Sequence, residues 1–139
     1  MDRPDPLLQT LEQVAVAMAP ARHDWWIIAS AACRLHGVDP GRVRDVDVLM
    51  DARDIATVLA PLGLKPTEGQ SDERFRSRYF ITWDAPPLPV ELFADFELCE
   101  GADWSPVRLA SREWRKVGQV RLPVPSRAEL VDLLHRFGR

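Results

Sequence analysis

Hydrophobic positions recur along this chain with two different periods. Over residues 6–19, Leu7, Leu8, Leu11, Val14, Ala15 and Met18 follow the three-and-four spacing of one helix face. The "PAR" at 20–22 ends that pattern. Residues 25–30, "WWIIAS", form a short continuous apolar run that reads as a buried strand. A short helix is expected over 31–37, opening after Ser30 and stopping at Gly37. "VDPGRVR" then reads as a loop.

From Asp45 to Met50 the period drops to two, with Asp45 and Asp47 on one face and Val46 and Val48 on the other. Asp51 is placed to cap a helix whose stripe is Ile55, Val58, Leu59 and Leu62 and whose stop is Gly63. "LKPT" (64–67) suggests a short edge strand, and strands are expected over 73–83, 86–98 and 119–125. Residues 105–116 carry no decisive period. A last helix over 126–138 opens with a capping box, Ser126 with Glu129, and presents Leu130, Val131, Leu133, Leu134 and Phe137. About four helices and five or six strands, without strict βαβ alternation, predict an α+β fold: a mixed β-sheet of about five strands flanked by about four helices.

The length of 139 residues fits one domain, 1–139. A 46% apolar share supports a core of that size, and a net charge of −3 gives no global field for nucleic acid. No apolar stretch approaches the ~20 residues of a membrane span, so no membrane partner is expected. The N-terminus, "MDRPDPLLQT", lacks the basic and apolar regions of a secretion signal. Cys33 and Cys99 lie in apolar surroundings without metal-ligand spacing. They read as small buried hydrophobes in a reducing compartment, and a cytoplasmic location is expected.

The segment "RVRDVDVLM" (42–50) carries the chemistry. Two carboxylates two residues apart on a strand share a face, with Cα atoms roughly 6.5–7 Å apart, and they repel. The face is solvated, or Arg42 and Arg44 neutralise it, or both carboxylates grip a divalent cation, for which hard oxygen ligands are suited. The surroundings bear on the choice. Upstream, an apolar strand ends in Ala29-Ser30 and a helix follows, a setting in which free backbone N–H groups suit phosphate. Downstream, "VELFADFE" forms a second acidic strand, on which Glu91, Asp95 and Glu97 are expected to share a face with Phe93.

In this order of features the sequence resembles the nucleotidyltransferase superfamily that shares the DNA polymerase β catalytic fold, and within it the small bacterial, minimal-type members. "IIASAACRLHG" matches the strand, small-residue turn and helix of the family's motif; "RVRDVDVLM" matches its Asp-x-Asp strand, and "PVELF" the strand of its third carboxylate. The closing "VRLPVPSRAELVDLLHRFGR" is similar to the tail of small members. The resemblance implies metal-dependent transfer of a nucleotidyl group from a nucleoside triphosphate such as ATP to an acceptor. Asp45 and Asp47 would ligate Mg2+ (or Mn2+), Glu91 would be the third ligand and would activate the acceptor, and Ala29 and Ser30 would lie at the triphosphate, with Arg42 and Arg44 as further phosphate contacts. Three departures accompany it. Ala29 stands where the family has its first glycine, Glu91 stands where Asp is commoner, and one helix follows the last strand where active members carry a helical domain. These admit an alternative, a catalytically degenerate nucleotide- or partner-binding module, for example one half of a toxin–antitoxin pair. They also imply that a second copy or a partner protein completes the site.

Other residues read more plainly. Arg74, Arg76 and Arg78 alternate along one strand, either as a phosphate-binding face or as a solvated face paired with Asp72 and Glu73. His36 reads as a helix C-terminal group, and His23 and His135 lack metal spacing. Trp25 and Trp26 read as core, and Ser30 lacks the His/Asp context of a hydrolytic nucleophile.

Overall fold

A computed structural model describes residues 5–69 and 71–138. Helix α1 (Pro6–Met18) starts where Asp5 accepts the amide of Leu7 at 2.9 Å and proline takes the first helical position. Strand β1 (Trp26–Ile28) runs straight into α2 (Ala29–Leu35), two residues earlier than the sequence pattern suggests. Strand β2 (Val46–Met50) follows the loop. Asp51 then caps a 3-10 turn, Ala52–Asp54, rather than the helix itself, and α3 (Ile55–Leu62) begins after it. The α3 helix stops at Gly63, whose φ of 70° needs no Cβ to be avoided. Residues 64–67 form no strand; a Glu68–Tyr79 bridge and the Phe80 amide, donating to the Thr67 carbonyl at 3.0 Å, tie the segment to β3.

Strands β3 (Phe75–Trp83) and β4 (Val90–Glu100) then form, and the ambiguous stretch resolves into β5 (Asp103–Pro106) and β6 (Glu113–Val117). The chain closes with β7 (Val120–Val124) and α4 (Arg127–Arg136). The main sheet has the order β1-β2-β4-β3, with β5 paired to β4, and β6-β7 form a separate hairpin. Strands β2 and β4 are parallel and the other pairs antiparallel, so the sheet is mixed as expected.

One sheet face carries Ile27, Val46, Val48, Met50, Val90, Leu92 and Ala94, packed against α1, α3 and the β6-β7 hairpin in the larger core. The other carries Ile28, Leu49 and Phe93, packed with Val107 and Leu133 of α4 in a smaller one. The Asp-x-Asp strand therefore sits in mid-sheet. Its valines are fully buried on one side, each contributing roughly 1.5–3 kcal/mol, which fixes the carboxylates to the opposite side.

Strand β4 changes face part-way. Asp95 has a φ of 52°, and beyond it Phe96 and Leu98 join Phe93 in the smaller core. The expectation that Glu91, Asp95 and Glu97 share one face with Phe93 is therefore corrected: a left-handed residue interrupts the two-residue alternation.

Candidate metal centre and cleft

The register across three strands builds the centre. Asp47 pairs with Ile28 of β1 on one side and with Glu91 of β4 on the other. Asp45 lies just ahead of β2 and shares the side of Asp47. One carboxylate oxygen from each of Asp45, Asp47 and Glu91 lies within 4.8 Å of the other two, and all three residues are half-buried. Arg42 and Arg44 are exposed in the loop before β2. An octahedral Mg2+ at ~2.1 Å from its ligands needs oxygens about 3–4.2 Å apart, a spacing compatible with that bound. The donor set is all carboxylate oxygen, which fits Mg2+ or Mn2+.

Ala29 is the first residue of α2, is buried, and has a φ of 58°. It therefore takes the backbone conformation that glycine adopts freely and that costs an alanine roughly 1–2 kcal/mol. The turn geometry expected of a glycine is present without the glycine. Ser30 follows, half-buried, as the second residue of α2.

Asp47, Glu91, Ile28 and Ala29 line a cleft of about 520 Å³ whose remaining walls are Phe75, Phe80, Phe93, Phe96 and Phe137, with Arg74 and Gly138 at its rim. Ser30, Arg42 and Arg44 are not part of this lining. Arg74 donates to the Phe137 carbonyl at 2.8 Å and so ties the end of α4 over the cleft.

The other arginines of β3 are engaged, but not with the neighbours expected from sequence. Arg76 pairs with Glu97 at 2.9 Å and lies over the Trp104 ring, and Arg78 pairs with Asp95 at 3.9 Å. Asp72 instead accepts the amides of Arg74 and Phe75. Asp95, expected on the face of Glu91, lines a different and larger hollow of about 830 Å³ together with Asp51, Arg53 and Arg78. There Arg53 holds the Asp51 carboxyl down at about 2.

Two structural anchors went unseen in the sequence. Buried Asp54 accepts the Arg22 amide at 3.1 Å, the His23 amide at 2.9 Å and the His23 ring at 3.0 Å. Burial alone would raise its pKa, but these donors outweigh it and hold the carboxyl below its usual range. Glu129 accepts the amides of Ala110 (2.7 Å) and Ser111 (2.8 Å) as well as the Ser111 hydroxyl, so it clamps the segment before β6. The Ser126 hydroxyl accepts the Glu129 amide at 3.2 Å as the capping box requires, while the Ser126 amide is taken by Ser111 rather than by Glu129.

No protein-family model matches the chain, and no curated protein matches it. Solved structures do. A Thermotoga maritima protein, provisionally assigned as a nucleotidyltransferase, superposes with a TM-score of 0.81 over 100% of this chain and 88% of its own, at 22% identity. The solution structure of the antibiotic-resistance factor ANT(2'')-Ia superposes with a TM-score of 0.52 over 86% of this chain and 64% of its own, at 8% identity. At these identities the shared property is the fold, and this chain is a nucleotidyltransferase-fold protein.

Proposed function

We propose that this chain transfers a nucleotidyl group from a nucleoside triphosphate to a hydroxyl or phosphate acceptor, with Mg2+ or Mn2+ held by Asp45, Asp47 and Glu91. The observation that carries this reading is the convergence of three carboxylates, two of which, Asp47 and Glu91, line one open cleft with Asp45 beside them. A divalent cation bound there would neutralise phosphate charge and activate an attacking oxygen. Asp45 and Asp47 would hold it from one strand face. Glu91, a methylene longer than Asp, would reach across the β2–β4 ladder and take the acceptor proton. Ala29 and Ser30 at the start of α2 would lie at the triphosphate, and the exposed guanidinium groups of Arg42 and Arg44 would fold onto its outer oxygens.

The test is calorimetric titration of wild type, Asp45→Asn and Glu91→Gln with ATP and the other nucleoside triphosphates, with and without Mg2+. Mg2+-dependent binding that both variants lose is the expected result. Absence of any nucleotide binding by wild type would overturn the reading. Binding without pyrophosphate release across a broad acceptor panel would point to the degenerate module instead.

A further inference from the structure

Phenylalanines share the lining of this cleft with the carboxylates of Asp47 and Glu91. Phe80 and Phe93 lie parallel, with ring centroids 6.2 Å apart and planes at 11°, and Phe75 and Phe96 lie parallel at 5.9 Å and 9°. Phe93 and Phe96 join the two pairs at 5.0 Å. Most of these rings are packed, but Phe80 is 37% exposed and borders the cleft. The cleft is therefore amphipathic, lined by the carboxylates of Asp47 and Glu91, by phenylalanine rings and by Arg74. Its volume of about 520 Å³ suits a ligand of nucleoside size.

We propose that this phenylalanine wall is a stacking site for a planar aromatic ring, on a ligand whose phosphate or hydroxyl reaches Asp47 and Glu91. The ring belongs either to the base of the nucleotide or to the acceptor. The inference rests on the reading of the carboxylates as a nucleotidyl-transfer site. Phe80 is the residue that sets the preference, because its ring is nearly parallel to Phe93, partly exposed and part of the cleft lining. Stacking on one such ring is worth about tenfold or more in affinity.

The experiment compares wild type, Phe80→Ala and Phe80→Trp by calorimetry with four probes. These are tripolyphosphate with Mg2+, ATP with Mg2+, adenosine alone, and N-acetyltyrosinamide in the presence of a non-hydrolysable ATP analogue. If the ring is the donor's base, ATP binds wild type at least about tenfold tighter than tripolyphosphate. Phe80→Ala then abolishes that advantage with tripolyphosphate binding unchanged, and Phe80→Trp keeps it. If the ring is the acceptor's, the Phe80 dependence appears with N-acetyltyrosinamide instead. Equal affinity of wild type and Phe80→Ala for every aromatic probe overturns the proposal. Phe80-dependent adenosine binding with no tripolyphosphate binding keeps the stacking site and sinks the metal-centre reading.

Discussion

Glu91 lies directly across the parallel β2–β4 ladder from Asp47. Neighbouring strands are about 4.8 Å apart, and like charges placed opposite one another destabilise a sheet by roughly 0.2–1 kcal/mol. Asp45 adds a third carboxylate to the same cluster. The mutual repulsion of these three groups is a contribution that a bound cation relieves. Glu91→Gln should therefore leave the metal-free protein as stable as wild type or more stable, by up to about 1 kcal/mol. Wild type should gain thermal stability on adding Mg2+, and the variant should gain much less. Thermal unfolding with and without Mg2+ measures both; a Glu91→Gln protein that is less stable without Mg2+ contradicts the repulsion argument.

Ala29 makes a complementary prediction about backbone strain. Its φ of 58° is costly for alanine and free for glycine, by roughly 1–2 kcal/mol. Glycine also loses about 0.4–1 kcal/mol through its freer unfolded chain. Ala29→Gly should thus be neutral to stabilising, by up to about 1 kcal/mol, although most glycine substitutions in helices destabilise. Ala29→Val should be destabilising by more than about 2 kcal/mol, because a β-branched residue is a poor fit to this conformation and the site is buried. Urea denaturation of the three proteins tests the ranking.

The shared side of Asp45 and Asp47, opposite Val46 and Val48, was legible because a two-residue period is the direct imprint of a strand. Their partnership with Glu91 came from the family resemblance; periodicity places a residue on a face but not beside a particular strand. Asp95 shows the opposite case. No side-chain pattern announces a left-handed residue, so one φ value overturned the expected face of Glu97. Asp54 was invisible for another reason. Its partners, Arg22 and His23, lie more than thirty residues upstream, and an aspartate beside a helix start reads as an exposed cap. Thr10 was equally hidden. It is fully buried, donating to the Pro6 carbonyl and accepting the Leu88 amide, and so it fastens α1 to the proline-rich entry of β4.

Asp54 should be among the most sensitive polar positions outside the cleft. Its carboxylate satisfies two backbone amides and one ring nitrogen in the turn between α1 and β1. Asp54→Ala leaves those donors without a partner, at a cost of about 2–3 kcal/mol. His23→Ala removes one of the three and should cost less, about 1 kcal/mol. Chemical denaturation of both variants gives the comparison, and a His23 variant less stable than the Asp54 variant would show that the ring, not the carboxylate, organises the turn.

Acid stability should depend on Glu129. Burial by itself would raise the pKa of this carboxyl, but the amides of Ala110 and Ser111 and the Ser111 hydroxyl outweigh burial and hold it below its ordinary value of 4.5. The folded state therefore binds the proton less readily than the unfolded chain. It follows that the stability Glu129 contributes is complete above pH 4.5 and is lost as the pH falls below it, through the lowered folded value. Glu129→Gln keeps the shape of the side chain but cannot accept from all three donors as a charged group. It should lose about 1–2 kcal/mol at pH 7 and show a shallower decline in acid than wild type. The two proteins should converge in stability as the pH falls below 4.5 through the lowered folded value. Urea titrations at pH 7, 5, 4 and 3 follow both curves, and parallel curves across that range would show that the Ser111 clamp does not titrate on unfolding.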